Sequence, residues 1–195
     1  MPRSKSLGAL VLLAGIVVLL GLGSIQAAEK YEIDGSHSQV VFRVKHLGVS
    51  YNYGRFNDIS GSYTFDPASP GQSSFDVTIK AESIDTHSEK RDQHLKSPDF
   101  FNAKQFPVIR LTSKSIKKSG ENGFEAVGEL SLHGVKKEVT VKIDYVGSGD
   151  DPWGNYRSGF EAKLVVDRTD FGMEYMPDGV GTEVTVMVNI EGIRK

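Results

Sequence analysis

The chain has 195 residues and no cysteine, and its 23 basic against 25 acidic residues give a formal net charge of −2 at pH 7. The lack of cysteine excludes disulfides, thiolate metal sites and cysteine nucleophiles. Since the chain is mildly acidic and its lysines are scattered, it has no basic cluster of the kind that binds nucleic acid, and we expect no nucleic-acid partner.

The N-terminal segment has the pattern of a secretory signal. Arg3 and Lys5 precede an uncharged apolar run, Leu7–Leu22, and a charged start followed by an apolar stretch is typical of such signals. No twin-arginine pair precedes the run, so we expect export by the general secretory route. An uncleaved anchor is the alternative, because the run approaches the roughly 20 residues that span a bilayer. The pattern predicts a signal over residues 1–28 and one periplasmic domain over residues 29–195.

Apolar and polar residues alternate with a period of two through most of the remaining chain. In the first such segment Val40, Phe42 and Val44 share one face, while Arg43 and Lys45 lie on the other. This alternation is typical of half-buried strands. It predicts eight strands, over Val40–Val44, Gly54–Phe65, Phe75–Ala81, Pro107–Ile116, Phe124–Leu132, Val139–Tyr145, Tyr156–Val166 and Val184–Ile190.

The connections between the predicted strands are mostly short, which favours antiparallel neighbours because parallel strands need long crossovers. Eight strands that each have one apolar face suit an up-and-down barrel, which leaves no free edge. A barrel of this size encloses either packed side chains or one small ligand. The alternation alone decides neither between these interiors nor between a barrel and a sandwich. It also does not say which face of each strand points inward.

The segment Ser83–Phe101, SIDTHSEKRDQHLKSPDFF, is a densely charged insert with a helical pattern between the strands. Asp85 or Thr86 can cap a helix over His87–Lys96, because their side-chain oxygens accept hydrogen bonds from first-turn amides. Pro98 ends this helix, since the residue before a proline avoids helical geometry. The insert therefore separates the third predicted strand from the fourth.

The insert has two interpretations. It either plugs one end of the barrel with its apolar side chains, or it forms the entrance of a ligand cavity. In the second interpretation polar side chains meet the head group of a ligand, and apolar side chains line the entrance. The residues for the head group are Arg91, Asp92 and His94, and those for the lining are Leu95, Phe100 and Phe101.

Two loops supply further candidate contacts with an apolar ligand. Trp153 lies in a loop rich in glycine and aspartate over residues 147–154. Met173 and Met176 lie in a longer irregular loop over residues 169–181. Methionine adapts to varied apolar shapes, so these two side chains form either a flexible lid over a ligand or an ordinary part of the core.

The sequence offers no frame for catalysis or metal binding. None of the five histidines stands at an HxH or HxxxH spacing from another. A GxSxG nucleophile elbow is absent, as are the glycine-rich motifs that bind phosphate. We therefore expect no enzyme activity, no metal and no cofactor. An enzyme that uses His94 with Asp92 as acid and base is the alternative.

Five segments in order along the chain carry a family resemblance: HSQVVFRVKHLG, YGRF, the insert, LSLHGVKKEV and GDDPWGNYRSGFEA. In order and spacing they resemble the YceI-like family of secreted bacterial proteins. The resemblance implies a lipocalin-like fold, an all-β, eight-stranded antiparallel barrel with the short helical insert between its third and fourth strands. It also implies that the barrel lumen binds, transports or stores a long apolar lipid, such as a polyisoprenoid or an isoprenoid-quinone-like molecule, with no established catalysis.

With this resemblance, the predicted ligand-binding residues come from strand faces, the insert and the two loops. They are Phe42, Val44, His46, Arg91, Asp92, His94, Leu95, Phe100, Phe101, Trp153, Phe160, Ala162, Met173 and Met176. The alternatives are an enzyme or a stress-response protein that acts on or protects such lipids, and a barrel that its own side chains fill. An inner-membrane partner and a homodimer are left open as partners besides the ligand.

Overall fold

The computed structural model describes residues 28–195. The predicted signal over residues 1–28 therefore lies outside the described residues, apart from its last position. The strands are β1 (Glu29–Ile33), β2 (Gln39–His46), β3 (Ser50–Phe56), β4 (Ile59–Phe65), β5 (Ser74–Lys80), β6 (Ile84–Asp85), β7 (Val108–Lys118), β8 (Gly123–Leu132), β9 (Val135–Asp150), β10 (Tyr156–Asp167) and β11 (Val180–Arg194), and helix α1 (Glu89–Lys96) lies between β6 and β7. Within residues 28–195, no helix has the length and apolar character needed to cross a bilayer.

Eight of the strands form a closed antiparallel barrel. The order around its wall is β1, β4, β5, β7, β8, β9, β10 and β11, and β11 pairs with β1 to complete the ring. Tyr31 in β1 lies opposite Arg194 in β11, so the first and last described strands close the wall. The structure confirms the predicted all-β class and the eight-stranded antiparallel barrel with a short helical insert.

Two positions in the wall are each shared by two strands. β11 pairs its C-terminal part with β1 and much of its remaining length with β2. Beside them, β4 pairs with β1 and β3 pairs with β2. β1 and β2 thus continue one another along the wall, and so do β3 and β4, with breaks at residues 34–38 and 57–58. The two-residue strand β6 pairs with β3, which accounts for all eleven strands.

One predicted strand is divided in the structure, and one observed strand has no predicted counterpart. The single strand predicted over Gly54–Phe65 is divided at Asn57, whose amide donates to the carbonyl of Ser83 at 3.1 Å rather than to a neighbouring barrel strand. The alternation in the sequence does not predict β1. This strand buries only Tyr31 and Ile33, and two apolar residues are too few to establish an alternation.

The insert between β5 and β7 fills a gap in the wall at one end of the barrel. The amide of Ala81 donates to the carbonyl of Pro107 at 3.0 Å, which holds the two ends of the insert together. On one side of the gap β6 pairs with β3. On the other side the ring of Phe106 contacts that of His133 in the β8–β9 turn, with centroids 4.8 Å apart. The insert is therefore part of the barrel wall as well as its cover.

The helix in the insert begins slightly later than predicted. α1 covers Glu89–Lys96, and the residue before it, Ser88, makes no side-chain capping hydrogen bond. Asp85 instead accepts a hydrogen bond from the amide of His87 at 2.9 Å. The turn that precedes α1 is thus stabilised by an aspartate just outside the helix, and neither predicted cap occupies the capping position.

The segment between β10 and β11, residues 168–179, lies at the same end as the insert, which we call the insert end. A ring nitrogen of His133 lies 2.9 Å from the carbonyl of Phe171. The rings of His94 in α1 and Tyr175 meet edge to face at 5.2 Å. The amide of Leu47, in the β2–β3 turn, donates to the carbonyl of Gly179 at 2.8 Å. These contacts fix the 168–179 segment against three neighbouring parts of the barrel.

Aromatic side chains fill the opposite end, which we call the far end. Tyr63 is at their centre, stacked on Tyr31 with ring centroids 5.0 Å apart and meeting Phe160 edge-on at 5.3 Å. Its hydroxyl donates to the carbonyl of Ser158 at 3.0 Å. We call this group the aromatic cluster; its members are Tyr31, Tyr63, Phe65, Phe75, Phe124, Tyr145 and Phe160. The cluster forms a solid core across the far half of the barrel.

Candidate functional site

A cavity of about 180 Å³ lies inside the barrel, between the aromatic cluster and the insert. Aliphatic and aromatic side chains from the inward faces of β2, β5 and β7 to β11 line it. Ser113 and Arg168 are the only polar side chains in this lining within residues 28–195. An apolar internal surface of this kind favours apolar ligands, because burial of their surface needs no directional contacts.

Phe75 and Phe160 form the floor of the cavity. Both side chains line it, and their rings meet almost at right angles with centroids 5.2 Å apart. Phe160 is only 1% exposed and also contacts Phe65 edge-on at 4.7 Å. The floor is therefore part of the aromatic cluster, which fills the far half of the barrel beyond the cavity.

The end of the cavity opposite the floor lies at the insert end, and we call it the entrance. Leu95 in α1, with Phe100 and Phe101 just after it, lines the cavity from the insert side, and Met173 and Val180 line it from the 168–179 segment and the start of β11. Phe101 also meets Phe56 in β3 edge-on at 5.5 Å, which ties the insert to the wall. The insert thus covers this end of the cavity with apolar side chains, and that it forms the entrance for a ligand stays a prediction.

Most of the predicted ligand-binding residues line the cavity. They are Phe42, Val44, Leu95, Phe100, Phe101, Phe160, Ala162 and Met173. The structure also decides which strand faces point inward, because Val40, Phe42 and Val44 line the cavity and their neighbour Arg43 does not. That these side chains contact a ligand stays a prediction.

Three other predicted residues lie outside the lining. His46 is half-buried at the end of β2, opposite Val180. Met176 lies at the insert end with 47% of its surface exposed. Trp153 is 78% exposed in the β9–β10 turn at the far end. The twelve residues of β10 separate Trp153 from the entrance, a distance of roughly 36 Å along an extended strand.

The three predicted head-group residues in α1 also lie outside the lining, and each has a partner within the insert or next to it. Arg91 donates from Nε to the hydroxyl of Thr86 at 2.7 Å and from Nη2 to its carbonyl at 2.6 Å. Asp92 accepts the amide of Thr86 at 2.8 Å. His94 pairs with Asp99 at 2.8 Å. In this arrangement the three side chains brace the insert, and His94 and Asp92 do not form an acid–base pair.

Arg168 also lines the cavity, at the entrance, and no sequence pattern predicts it as a site residue. It is 4% exposed and follows β10 directly. Its guanidinium lies 6.0 Å from the ring centroid of Phe100. Burial lowers the pKa of Arg168, and the charge of the adjacent Asp167 acts in the opposite direction. A single arginine between a strand and a loop is usually exposed, so the sequence carries no signal for this position.

A family model matches this chain over almost the whole barrel. It describes the YceI-like domain, and the match covers residues 31–192. The chain belongs to the YceI family. This result confirms the resemblance that the sequence motifs indicate.

Individual YceI relatives match over nearly their full lengths. A UPF0312 protein of Pseudomonas aeruginosa is 42% identical over 193 residues, which cover 98% of each chain. The crystal structure of BcnA from Burkholderia cenocepacia has a TM-score of 0.75 and 24% identity, over 82% of this chain and 98% of that one. A polyisoprenoid-binding domain from Saccharophagus degradans, implicated in plant cell wall breakdown, has a TM-score of 0.63 and 14% identity, over 85% and 98% of the two chains. At these identities the two structures show a shared fold.

In this YceI domain the described residues that could together ligate a metal are Asp34, His37 and Glu191, whose ligand atoms lie within 4.8 Å of one another. Arg157 already contacts both carboxylates. Its Nη1 donates to Asp34 at 2.8 Å and to Glu191 at 2.6 Å, and its Nε donates to Asp151 at 2.7 Å. We call these residues the Arg157 network. None of them lines the cavity, and the guanidinium of Arg157 already offsets part of the negative charge of the carboxylates.

Proposed function

We propose that this chain binds a long apolar lipid, a polyisoprenoid or an isoprenoid-quinone-like molecule, inside the barrel, and that it transports or stores this lipid in the periplasm. The observation that carries the proposal is the apolar cavity inside the barrel, between the aromatic cluster and the insert. Membership of the YceI family and the polyisoprenoid-binding neighbour support the class of ligand. The N-terminal sequence pattern supports export.

A long lipid needs few directional contacts to bind in such a cavity. Burial of about 500 Å² of apolar ligand surface at roughly 25 cal/mol per Å² contributes about 12 kcal/mol. The lost freedom of the ligand costs at least about 4 kcal/mol. The difference of up to about 8 kcal/mol corresponds to micromolar binding. The proposed function is therefore non-enzymatic, and it needs no catalytic group in the lining.

The direct test is to express the chain with its own N-terminal segment, separate the periplasmic fraction, and purify the protein without detergent. Organic extracts are then analysed by mass spectrometry. We expect the protein in the periplasmic fraction with about one long-chain apolar molecule per barrel. Protein that yields no such molecule, and that takes up none from a panel of isoprenoid lipids, would overturn the proposal.

Two tryptophan variants on β10 sharpen this test. Ala162 lines the cavity, and the next residue, Lys163, is exposed on the outer face. We expect Ala162→Trp to fill the cavity and lower the lipid content at least tenfold, and Lys163→Trp to leave it unchanged. Lipid retained in Ala162→Trp would place the ligand outside the cavity. A loss of about 1–3 kcal/mol in unfolding free energy from overpacking, with no lipid in the wild-type protein to displace, would indicate a barrel filled by its own side chains.

The proposal has two further parts. One is an inner-membrane partner that delivers the lipid, and the other is that the chain forms a homodimer. Exposure of the apolar surface of a long lipid to water is costly. The lipid therefore needs direct contact between this chain and a membrane protein to move from the membrane into the barrel. Crosslinking in intact cells, followed by identification of membrane proteins held by the barrel, tests for the partner. Light scattering on the purified protein measures its mass in solution. A monomer at all concentrations would remove the homodimer from the proposal.

A further inference from the structure

Arg168 is the only charged side chain in the cavity lining within residues 28–195. It lies at the entrance, between Phe100 of the insert and Met173 of the 168–179 segment, both of which also line the cavity. A cation is costly to bury unless acceptors surround it. The acceptors around this guanidinium therefore decide what it can still bind.

The backbone satisfies most of the guanidinium, but not all of it. Nε donates to the carbonyl of Gly181 at 3.0 Å, and Nη2 donates to those of Tyr175 at 2.9 Å and Val180 at 2.7 Å. Nη1 donates to the carbonyl of Met173. An arginine has five N–H groups, so these four bonds leave one N–H on Nη1 without an acceptor in the described part of the chain.

No carboxylate pairs with this cation in the described chain, because the nearest one is engaged elsewhere. One carboxylate oxygen of Asp167 accepts from the amide of Thr169 at 2.9 Å and from its hydroxyl at 2.7 Å, and the other accepts from the hydroxyl of Thr182 at 3.0 Å. All four acceptors around Arg168 are neutral carbonyls. The entrance of an otherwise apolar cavity therefore holds a buried cation with one unused donor.

The number of donors limits the ligand group that fits. A phosphate or carboxylate placed here would bring two or more charged oxygens, and Ser113 is the only other polar side chain in the described lining. The remaining charged oxygens would lose their hydration without replacement, which is costly. A single carbonyl or hydroxyl oxygen needs one donor, and a hydrogen bond from a charged group contributes about 1.5–3 kcal/mol.

We propose that Arg168 binds the carbonyl or hydroxyl oxygen at the end of a long apolar ligand through the free N–H of Nη1. This inference rests on the proposed function and adds an orientation to it. The polar end of the ligand lies at the entrance beside Phe100, and the apolar chain extends toward the floor formed by Phe75 and Phe160. In this proposal Arg168 contacts the polar end of the ligand, in place of the predicted residues Arg91, Asp92 and His94.

The test compares three probes that share one branched carbon skeleton: phytane, a hydrocarbon; phytol, an alcohol; and phytanic acid. Affinities for the delipidated wild-type protein are measured by competition with a fluorescent lipid. We expect phytol to bind about tenfold or more tightly than phytane, as a charged hydrogen bond of about 1.5–3 kcal/mol requires. We expect phytanic acid, ionised at neutral pH, to bind no better than phytol.

Each outcome with the wild-type protein decides a different statement. If none of the probes binds, the proposed function fails along with the inference. If phytane and phytol bind equally well, the function stands and the role of Arg168 is wrong. If phytanic acid binds more tightly than phytol, the site takes an anion and the neutral-oxygen assignment is wrong.

A variant and a spectroscopic measurement separate recognition from support of the loop. In Arg168→Met we expect the ratio of phytol affinity to phytane affinity to fall to about onefold, whatever the change in phytane affinity itself. If this variant does not fold, NMR of the arginine side chains in wild-type protein gives the answer, with Arg168→Lys to assign the signal. The guanidinium signal of Arg168 should shift on addition of phytol and not of phytane. Equal shifts with both probes would overturn the inference.

Discussion

At the scale of single residues, the hydroxyl of Tyr63 is a buried polar group at the centre of the aromatic cluster, and it has hydrogen-bond partners there. The side chain is 2% exposed, and its oxygen lies 3.0 Å from the carbonyl and 2.6 Å from the hydroxyl oxygen of Ser158 in β10. Burial raises the pKa of Tyr63 to about 12, against the opposing effect of the hydrogen bond with Ser158. The cluster can therefore exclude water because its most central hydroxyl has partners within the wall.

Substitution of Tyr63 by phenylalanine keeps the ring and removes these partners. We expect Tyr63→Phe to lower the free energy of unfolding by about 1–3 kcal/mol, because the hydroxyl of Ser158 stays buried without its partner. Urea denaturation at neutral pH measures the change. Tyr53→Phe is the control, since that side chain is 55% exposed, and its change should stay within about 0.5 kcal/mol. Equal losses in both variants would contradict this account of Tyr63.

The cavity shows what sequence reasoning can find at this scale. Phe42, Phe160 and Ala162 could be chosen because strand alternation groups them with other apolar residues, and all three line the cavity. Arg168 could not be chosen, because its burial depends on four carbonyls that the 168–179 segment and the start of β11 bring around it. A local pattern reports the polarity of a residue, but it does not report the acceptors that distant parts of the chain provide.

At the scale of elements, the breaks in the wall are the places where strands change partners. Asp34 lies in the break between β1 and β2, where it accepts hydrogen bonds from the hydroxyl of Ser36 at 2.6 Å and from Arg157 at 2.8 Å. Hydrogen bonds from Ser36, Arg157 and His37 hold the pKa of Asp34 well below its usual range. Through Arg157 the break is tied to the start of β10 and to Glu191 in β11. The network thus joins three elements where the backbone ladder is interrupted.

The lowered pKa of Asp34 sets the direction of its pH dependence. In the unfolded chain the carboxyl binds a proton near pH 3.9, and in the folded chain only at lower pH. The stability that its charge contributes is therefore present above about pH 4 and is lost as the pH falls toward the folded-state pKa. We expect Asp34→Asn to lower the urea midpoint clearly at neutral pH and progressively less below about pH 4.

The control for this prediction is Asp178→Asn, which removes the same charge from an exposed position in the 168–179 segment. Its urea midpoint should follow that of the wild type at every pH. A difference between Asp34→Asn and wild type that stays constant from neutral to acid pH would contradict the role assigned to the Asp34 carboxylate.

Elements were predictable where their pattern is long and local. Seven of the eight predicted strand regions, all except Gly54–Phe65, and the helix each correspond to one observed element, because each repeats its period over several residues. The division at Asn57 and the strand β1 were not predictable, since both depend on pairing across the barrel. The helix start also shifted, because Asp85 bonds to the amide of His87 before the helix begins.

At the scale of the whole molecule, closure of the barrel brings β1 and β11 together directly above the aromatic cluster. Ile33 pairs with Gly192 at this seam. A Cβ atom at position 192 would lie 2.5 Å from the hydroxyl oxygen of Tyr63 and 2.6 Å from its Cε1. The wall can approach the cluster this closely because residue 192 has no side chain. The fit between seam and core is a property of the closed barrel and of none of its strands alone.

Gly192→Ala tests this fit. We expect it to lower the free energy of unfolding by about 1–3 kcal/mol, because the methyl group must displace a tightly packed ring. Gly149→Ala is the matched control in β9, where a Cβ atom would meet nothing within 4 Å, and its effect should stay within about 0.5 kcal/mol. Thermal and urea unfolding of both variants give the comparison. A Gly192→Ala protein as stable as Gly149→Ala would mean that a methyl group at position 192 fits beside Tyr63 without displacing its ring.

β11 pairs with β10, β2 and β1, and it is the last of the described strands in chain order. Until it is present, those three strands keep open edges that can pair with other chains. Because the first and last described strands must meet, we expect folding over roughly milliseconds to seconds, as for other chains dominated by non-local pairing. A chain that stops before Val180 would lack β11 and would expose the apolar interior of the barrel to solvent. We expect such fragments to aggregate and to bind no lipid.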